Sequence, residues 1–273
     1  MRRSGVVADA AEVGAHSHVC FAFREPAELR AAAREFARTG MASGERVLLI
    51  APPGEYHRWR SDEWFAEVLA GGQADLLQAE TVYPRTLADP YAQVEYYSQE
   101  TERALAAGYT GLRVAADATT LVGDPVALDG FARYEHLADV YMAAHPLSGL
   151  CAYARDVVPD TDLAQVASLH PTVTPQSSPF RLYAVGAGLA FAGELDHDAV
   201  ALLEAALDRI RPDDGELVVD MTGLGFAHHG AVRSLERWAA GSGRRVLLRG
   251  ARPLLRRLVE LMELEAVRVE VAA

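Results

Sequence analysis

The sequence predicts an α/β chain built as two domains in series, and three observations carry that reading. Strand-like and helix-like segments alternate up to about His170. A run of three prolines and four hydroxyl residues, Pro171-Thr172-Val173-Thr174-Pro175-Gln176-Ser177-Ser178-Pro179, then interrupts the pattern. Beyond it the order changes to a hairpin followed by alternating helices and strands. The expected division is therefore residues 1–170, a linker at 171–179, and residues 180–273. A segment so rich in proline sustains neither a helix nor a central strand, which makes it a short, semi-rigid connection.

In the first part, His18 to Phe23 reads as a strand. Pro26 to Arg38 reads as a helix with Leu29, Ala33 and Phe36 on one face. Arg46 to Ala51 is an apolar run suited to a buried strand. Trp59 to Leu69 and Tyr91 to Ala107 carry helical periodicity, the second closed by Gly108. Gly111 to Asp117 reads as a strand, Leu128 to Ala144 as a helix stopped at His145-Pro146, and Gly149 to Tyr153 as a strand. Such alternation implies a largely parallel sheet with helices on both faces.

In the second part, Phe180 to Val185 and Gly188 to Ala192 flank a Gly-Ala-Gly turn, the pattern of a hairpin. Ala199 to Ile210, Gly230 to Ala240 and Pro253 to Leu264 read as helices. Glu216 to Asp220, Arg245 to Arg249 and Val267 to Val271 read as strands.

Composition limits the functions available. The 273 residues are half hydrophobic, and no apolar run reaches the length of a bilayer span. No apolar stretch follows Arg2 and Arg3, so no signal peptide is expected. Cys20 and Cys151 are the two cysteines, which suits a reducing cytoplasm better than a disulfide framework. All basic residues are arginine, a bias attributable to a GC-rich genome. Without lysine there is neither a Walker A loop nor Schiff-base chemistry. The formal net charge is -12, which disfavours contact with nucleic acid. No G-x-S-x-G nucleophile elbow is present. The expectation is a protein that is not an enzyme, with no cofactor, no resident metal, and no nucleic-acid or membrane partner.

Two segments of the second part carry a family pattern. Gly193-Glu194-Leu195-Asp196 ends a strand and opens a helix, and Leu217 to Phe226 reads LVVDMTGLGF before another helix start. Residues 180–273 resemble the STAS domain of anti-sigma factor antagonists in these motifs and in element order. The resemblance implies a mixed sheet flanked by helices and a partner that is an anti-sigma factor or kinase-fold regulator. Asp196, Asp220, Thr222, His228, His229, Gly230 and Arg233 are the candidate partner-binding residues. Asp220 equally suits a turn cap. Where family members carry the Asp-Ser pair whose serine is phosphorylated, this sequence has His228-His229, so the usual phospho-switch is not expected. Thr222 and Ser234 are nearby hydroxyls at the wrong offsets. Adjacent histidines on a helix make a poor chelate.

Three segments of the first part carry a second resemblance. They are His18-Val19-Cys20-Phe21-Ala22-Phe23, Ala107 to Val114, and Tyr134-Glu135 followed by Leu150 to Tyr153 and His170-Pro171. In this order they resemble the MEDS sensory domain, known from methanogen and methylotroph regulators. The resemblance implies a RecA-like α/β module without a working P-loop that senses small molecules.

His18 and Cys20 share one face of their strand, as do Cys151 and Tyr153 of theirs. If those strands are neighbours, a pocket for a small organic ligand forms from His18, Cys20, Arg113, Asp117, Glu135, Cys151, Tyr153 and His170, against a wall of Phe21, Phe23 and Leu150. The competing reading makes Cys20 and Cys151 small core residues, His18 a structural hydrogen-bonding group, and Glu135 the partner of Arg113. A zinc set of His18, Cys20, Cys151 and His170 lacks any paired-cysteine spacing. The functional expectation is a cytoplasmic signalling regulator in transcription or stress response. The alternatives are a non-sensing interaction scaffold or a RecA-like nucleotide-binding protein. Homodimerisation is left open.

Overall fold

A computed structural model describes residues 4–8, 14–83, 89–210 and 215–270. The N-terminal elements are β1 (Gly5–Val6), β2 (His18–Phe23), α1 (Pro26–Ala42), β3 (Arg46–Ala51), α2 (Pro53–Ser61), α3 (Glu63–Ala70), β4 (Ala74–Gln78), α4 (Ala79–Val82), α5 (Pro90–Ala106), β5 (Leu112–Asp117), α6 (Pro125–Ala144), β6 (Leu147–Ala154), α7 (Asp160–Ala167) and β7 (Thr172–Val173). The C-terminal elements are β8 (Phe180–Val185), β9 (Gly188–Leu195), α8 (Val200–Arg209), β10 (Glu216–Ala227), α9 (His229–Gly241), β11 (Arg245–Arg249), α10 (Pro253–Leu261) and β12 (Val267–Val269).

Among the described residues, β1 to β7 form one all-parallel sheet in the order β1-β7-β2-β6-β5-β3-β4. Period-two alternation divides its strands between two layers. Val19, Phe21, Phe23, Val47, Leu49, Ala115, Leu150 and Ala152 pack with α1, α2 and α3. Cys20, Leu48, Ile50, Leu112, Val114, Ala116 and Tyr153 pack on the other side with α5, α6 and α7. The second sheet has the order β12-β11-β10-β9-β8 and is parallel except for the β8–β9 hairpin. Gly186 takes φ 57° at the first turn position, as a two-residue turn led by glycine requires. The two-domain α/β class read from the sequence is the class observed.

Boundaries differ where local chemistry overrides periodicity. Asp89 and Asp124 accept hydrogen bonds from the first free amides of α5 and α6, with Pro90 and Pro125 at the first helical position. Those Asp-Pro pairs start the helices earlier than their apolar stripes suggest. Asp62 caps α3 in the same way, so the single helix expected over 59–69 is two helices. β4 and α7 were not expected at all.

The linker expectation is overturned. Thr172–Val173 is a strand inserted between β1 and β2, and Thr174 and Ser177 are buried beside it. The Thr174 hydroxyl accepts from the Ala22 amide and lies 3.0 Å from the Ser177 hydroxyl. The segment's hydroxyls supply the pairing that its prolines cannot.

The domains share one continuous hydrophobic core, running from Tyr153 and Phe131 through Phe180 and Phe191 to Leu203 and Val219. β8 is the edge of its sheet, and its free amides are covered by the first domain. Leu182 N–H donates to the Ser168 carbonyl at 2.6 Å, and Ala184 N–H to Asp139 Oδ2 at 2.7 Å. Arg209 reaches back to Asp129 and Gln165. An edge strand closed in this way offers no template for foreign pairing.

Because the core is continuous, the chain is expected to unfold in one cooperative transition. Trp59 and Trp64 report the first domain and Trp238 the second. Denaturant midpoints of Trp238→Phe and of Trp59→Phe/Trp64→Phe, each corrected for its own stability by calorimetry, should coincide with the circular-dichroism midpoint of the same variant. Fluorescence and circular-dichroism transitions that separate within one variant would show that the domains fold independently.

Arg113 gives a second prediction. It is 1% exposed, bonds Glu45 at 2.7 Å and stacks on Phe36. Arg113→Met should cost about 3 kcal/mol by stranding a buried carboxylate, and Glu45→Leu in the same chain should restore most of that. Urea titration of the single and double variants is the check.

Candidate functional site

The register of β2 and β6 pairs His18 with Gly149 and Cys20 with Cys151. His18, Cys20, Cys151 and Tyr153 therefore rise from one face of adjacent strands. α6 crosses that face and presents Glu135 and Asp139, four residues and about one turn apart. Gly149 permits the close approach, since a Cβ there would lie 2.7 Å from the Met142 methyl and 3.6 Å from the His18 ring. His170, from the turn after α7, completes the group.

His18 sits between two carboxylates, and all three are fully buried. Its Nε2–H donates to Glu135 Oε2 at 2.9 Å and its Nδ1–H to Asp139 Oδ1 at 3.0 Å. Burial opposes charge on this imidazole, but the hydrogen bonds to Asp139 and Glu135 outweigh it and raise its pKa. Glu135 also accepts from the Tyr153 hydroxyl at 2.7 Å. Burial works against the Glu135 carboxylate as well, yet the charge and hydrogen bond of His18 and the hydrogen bond from Tyr153 hold its pKa below the ordinary range. The Cys151 sulfur lies 3.6 Å from Glu135 Oε2 and 3.7 Å from His18 Nε2. Burial and the neighbouring carboxylate push its thiol pKa well up.

His170 is arranged differently. Its Nδ1–H donates to the Val166 carbonyl at 2.8 Å, so the neutral ring carries its lone pair on Nε2. That nitrogen lies 3.5 Å from Glu135 Oε2 and makes no hydrogen bond. Burial, then the nearby His18, pushes the His170 pKa down to about 4. The two rings stand 3.9 Å apart. His18, Glu135, Cys151 and His170 can together hold a metal ion, their donor atoms lying within 4.8 Å of one another.

The remaining expected site residues are placed elsewhere. Arg113 and Asp117 point to the opposite face of β5, because they alternate with Val114 and Ala116. Arg113 pairs with Glu45, and Asp117 accepts from the Thr119 amide. Cys20 lies on the correct face but is fully buried in the core, where burial raises its pKa well above the usual value. Phe21 and Phe23 are core to the α1 layer, so they are not the pocket wall, whereas Leu150 borders the recess beside Cys151. The recess beside Cys151 is lined by Tyr83, Tyr97, Tyr134 and Met142, and at about 10 Å³ holds no more than a water. Asp139 was missed. Its only sequence signal was helical spacing from Glu135, which no one strand motif reveals.

In the second domain, Asp196 accepts from the Ala199 amide ahead of α8, and Asp220 from the Thr222 amide. His228 caps α9, its Nδ1 accepting from Gly230 N–H at 3.2 Å. His229 packs against His228 at 4.0 Å, and His197, not singled out in the sequence, meets it edge-on at 5.2 Å. Thr222, His229 and Arg233 are exposed, and His228 and Gly230 are partly so. They form one end of the domain around the start of α9. Ser234 is buried and bonded to Glu204 and the Gly230 carbonyl.

Two family models match the chain. The model of MEDS, the methanogen/methylotroph, DcmR sensory domain, matches residues 17–171. A STAS domain model described as Mlab, STAS domain matches residues 182–269. No curated protein matches the chain. The first match spans more than half of the sequence and contains the whole buried cluster. The chain belongs to the MEDS family and carries a STAS domain behind its sensory domain.

Proposed function

We propose that this protein is a cytoplasmic signalling regulator in which the MEDS domain senses a small molecule at the His18–Glu135 cluster. The STAS domain gives the output by binding an anti-sigma factor or another kinase-fold protein. The observation that carries the reading is the Asp139 carboxylate. One oxygen holds His18 in the cluster, and the other holds the Ala184 amide of the STAS edge strand. An occupant that alters the charge or position of His18 changes what Asp139 offers to β8. That is a contiguous physical route between input and output.

The exposed end around His229 and Arg233 supports the output role, because its polar side chains are free of the core. Absence of lysine argues against phosphoryl chemistry in the same molecule. Among the described residues no helix is long and apolar enough to cross a membrane. A scaffold with no sensory role has one observation in its favour, the small recess at Cys151. The sensory reading therefore requires either a ligand of very few atoms or an outward movement of α6.

Two outcomes are expected. Against a kinase-fold partner identified by cross-linking in the host, His229→Glu and Arg233→Ala should each weaken binding about tenfold or more, measured by calorimetry. With labelled ATP the partner should leave no phosphate on the chain, and phosphate on Thr222 would show a switch that has moved. Wild-type affinity in both variants would place the interface elsewhere.

The second outcome concerns coupling. Ala184→Pro removes the amide that Asp139 holds, at an edge position where proline is tolerated. His18→Ala should change partner affinity in the native background and lose that effect with Ala184→Pro, a coupling of about 1 kcal/mol or more. Additive effects of the two substitutions would disprove the route through Asp139.

A further inference from the structure

We propose that His18, Glu135, Cys151 and His170 are the four ligands of a single zinc ion. The inference concerns the cluster on which the sensory reading rests, but it makes no claim about output.

The geometry comes first. Around a tetrahedral zinc with N and O ligands near 2.0–2.1 Å and sulfur near 2.3 Å, donor atoms stand about 3.3–3.7 Å apart. Cys151 Sγ is 3.7 Å from His18 Nε2 and 3.6 Å from Glu135 Oε2, and His170 Nε2 is 3.5 Å from the same oxygen. The His18–Glu135 contact, at 2.9 Å, opens by a few tenths of an ångström, and all four donor atoms already lie within 4.8 Å of one another. The four donors come from β2, α6, β6 and the turn after α7, so elements of the fold, not a flexible loop, hold them.

The second observation is the His170 lone pair. Nε2 is fully buried, makes no hydrogen bond, and faces the Glu135 carboxylate. Two electron-pair donors aimed at each other in a dry interior repel, and a buried polar atom without a partner costs free energy. A cation between them removes both penalties.

The surrounding bonds have the form that metal ligands require. His18 gives its other nitrogen to Asp139, His170 gives its own to the Val166 carbonyl, and Tyr153 donates to the second oxygen of Glu135. Such bonds fix the tautomer and orientation of each ligand. The donor set also balances charge, since Glu135 and a Cys151 thiolate together offset a divalent ion. Two imidazoles, one thiolate and one carboxylate suit a metal of borderline softness such as zinc. Glu135 thus stands in place of Cys20 in the set of His18, Cys20, Cys151 and His170 that the sequence alone disfavours.

The test uses the full chain without a histidine tag, stripped with a chelator, incubated with equimolar zinc and desalted. Elemental analysis should find about one zinc per chain. Cys151→Ser and His170→Asn should retain less than about a tenth of that, and Cys20→Ser should retain all of it. Asp139→Asn should bind about ten- to a hundredfold more weakly. Cobalt(II) loaded into the native chain should give tetrahedral visible bands and a thiolate charge-transfer band. That measurement decides the matter even if the ligand variants fail to fold.

Native chain with less than about a tenth of an equivalent, or cobalt without the thiolate band, would overturn the site. So would full zinc occupancy in folded Cys151→Ser and His170→Asn. A chain that holds zinc yet shows no coupling to its partner sinks the sensory reading alone, and coupling without zinc sinks this one.

Discussion

The carboxylate of Glu135 is the constraint from which the rest of the first domain can be understood. A charged group with no access to water must find its solvation in the protein. Here it finds His18 from β2 and Tyr153 from β6. Each of those residues sits on a different element, so satisfying Glu135 fixes the seat of α6 on the sheet. Gly149 is the concession that makes this seat close enough. Asp139, one turn further along α6, is oriented by the same docking. The cluster is therefore an anchoring point of the fold as well as its chemical centre. Breaking one partner in such a network costs more than the mean hydrogen bond, because it strands a buried charge.

Much of this was legible in the sequence, for identifiable reasons. Strands β2, β3 and β6 are short apolar runs whose side-chain period is two. Once β2 and β6 pair in the register that sets Cys20 opposite Cys151, His18, Cys20, Cys151 and Tyr153 share a face. The same rule, applied to β5, would have excluded Arg113 and Asp117, which alternate with the apolar residues on the cluster side. The sequence does not reveal which face of a doubly covered strand meets which helix, because both faces are apolar. That is why Phe21 and Phe23 were assigned to the wrong layer and Arg113 to the wrong partner. Glu45, its true partner, lies in the turn before β3, far from any motif.

The proline-rich segment was misread for a different reason. Proline removes backbone donors, but a strand of two residues needs few of them. Thr172 and Val173 pair with β1 and β2, and the hydroxyls of Thr174 and Ser177 complete the pattern. A composition typical of linkers thus builds a seam. With it the distance between the two domains vanishes, and a single core runs through both.

That seam gives the arrangement its functional sense. β8 is an edge strand, and an uncovered edge invites association. The outward amides of Leu182 and Ala184 are satisfied by the Ser168 carbonyl and by Asp139. The first is a backbone group at the end of α7, two residues before His170. The second is the carboxylate that holds His18. Both anchors of the STAS edge therefore lie within two residues of, or in direct contact with, members of the buried cluster. Any change that moves His18 or His170 must be accommodated at β8, since the interface is packed and leaves little slack. The hairpin carries that change into β9, and β9 ends at Leu195, whose carbonyl accepts from His228 N–H at the cap of α9. The exposed end of the STAS domain is thus joined to the buried cluster by one strand pair and two hydrogen-bonded junctions.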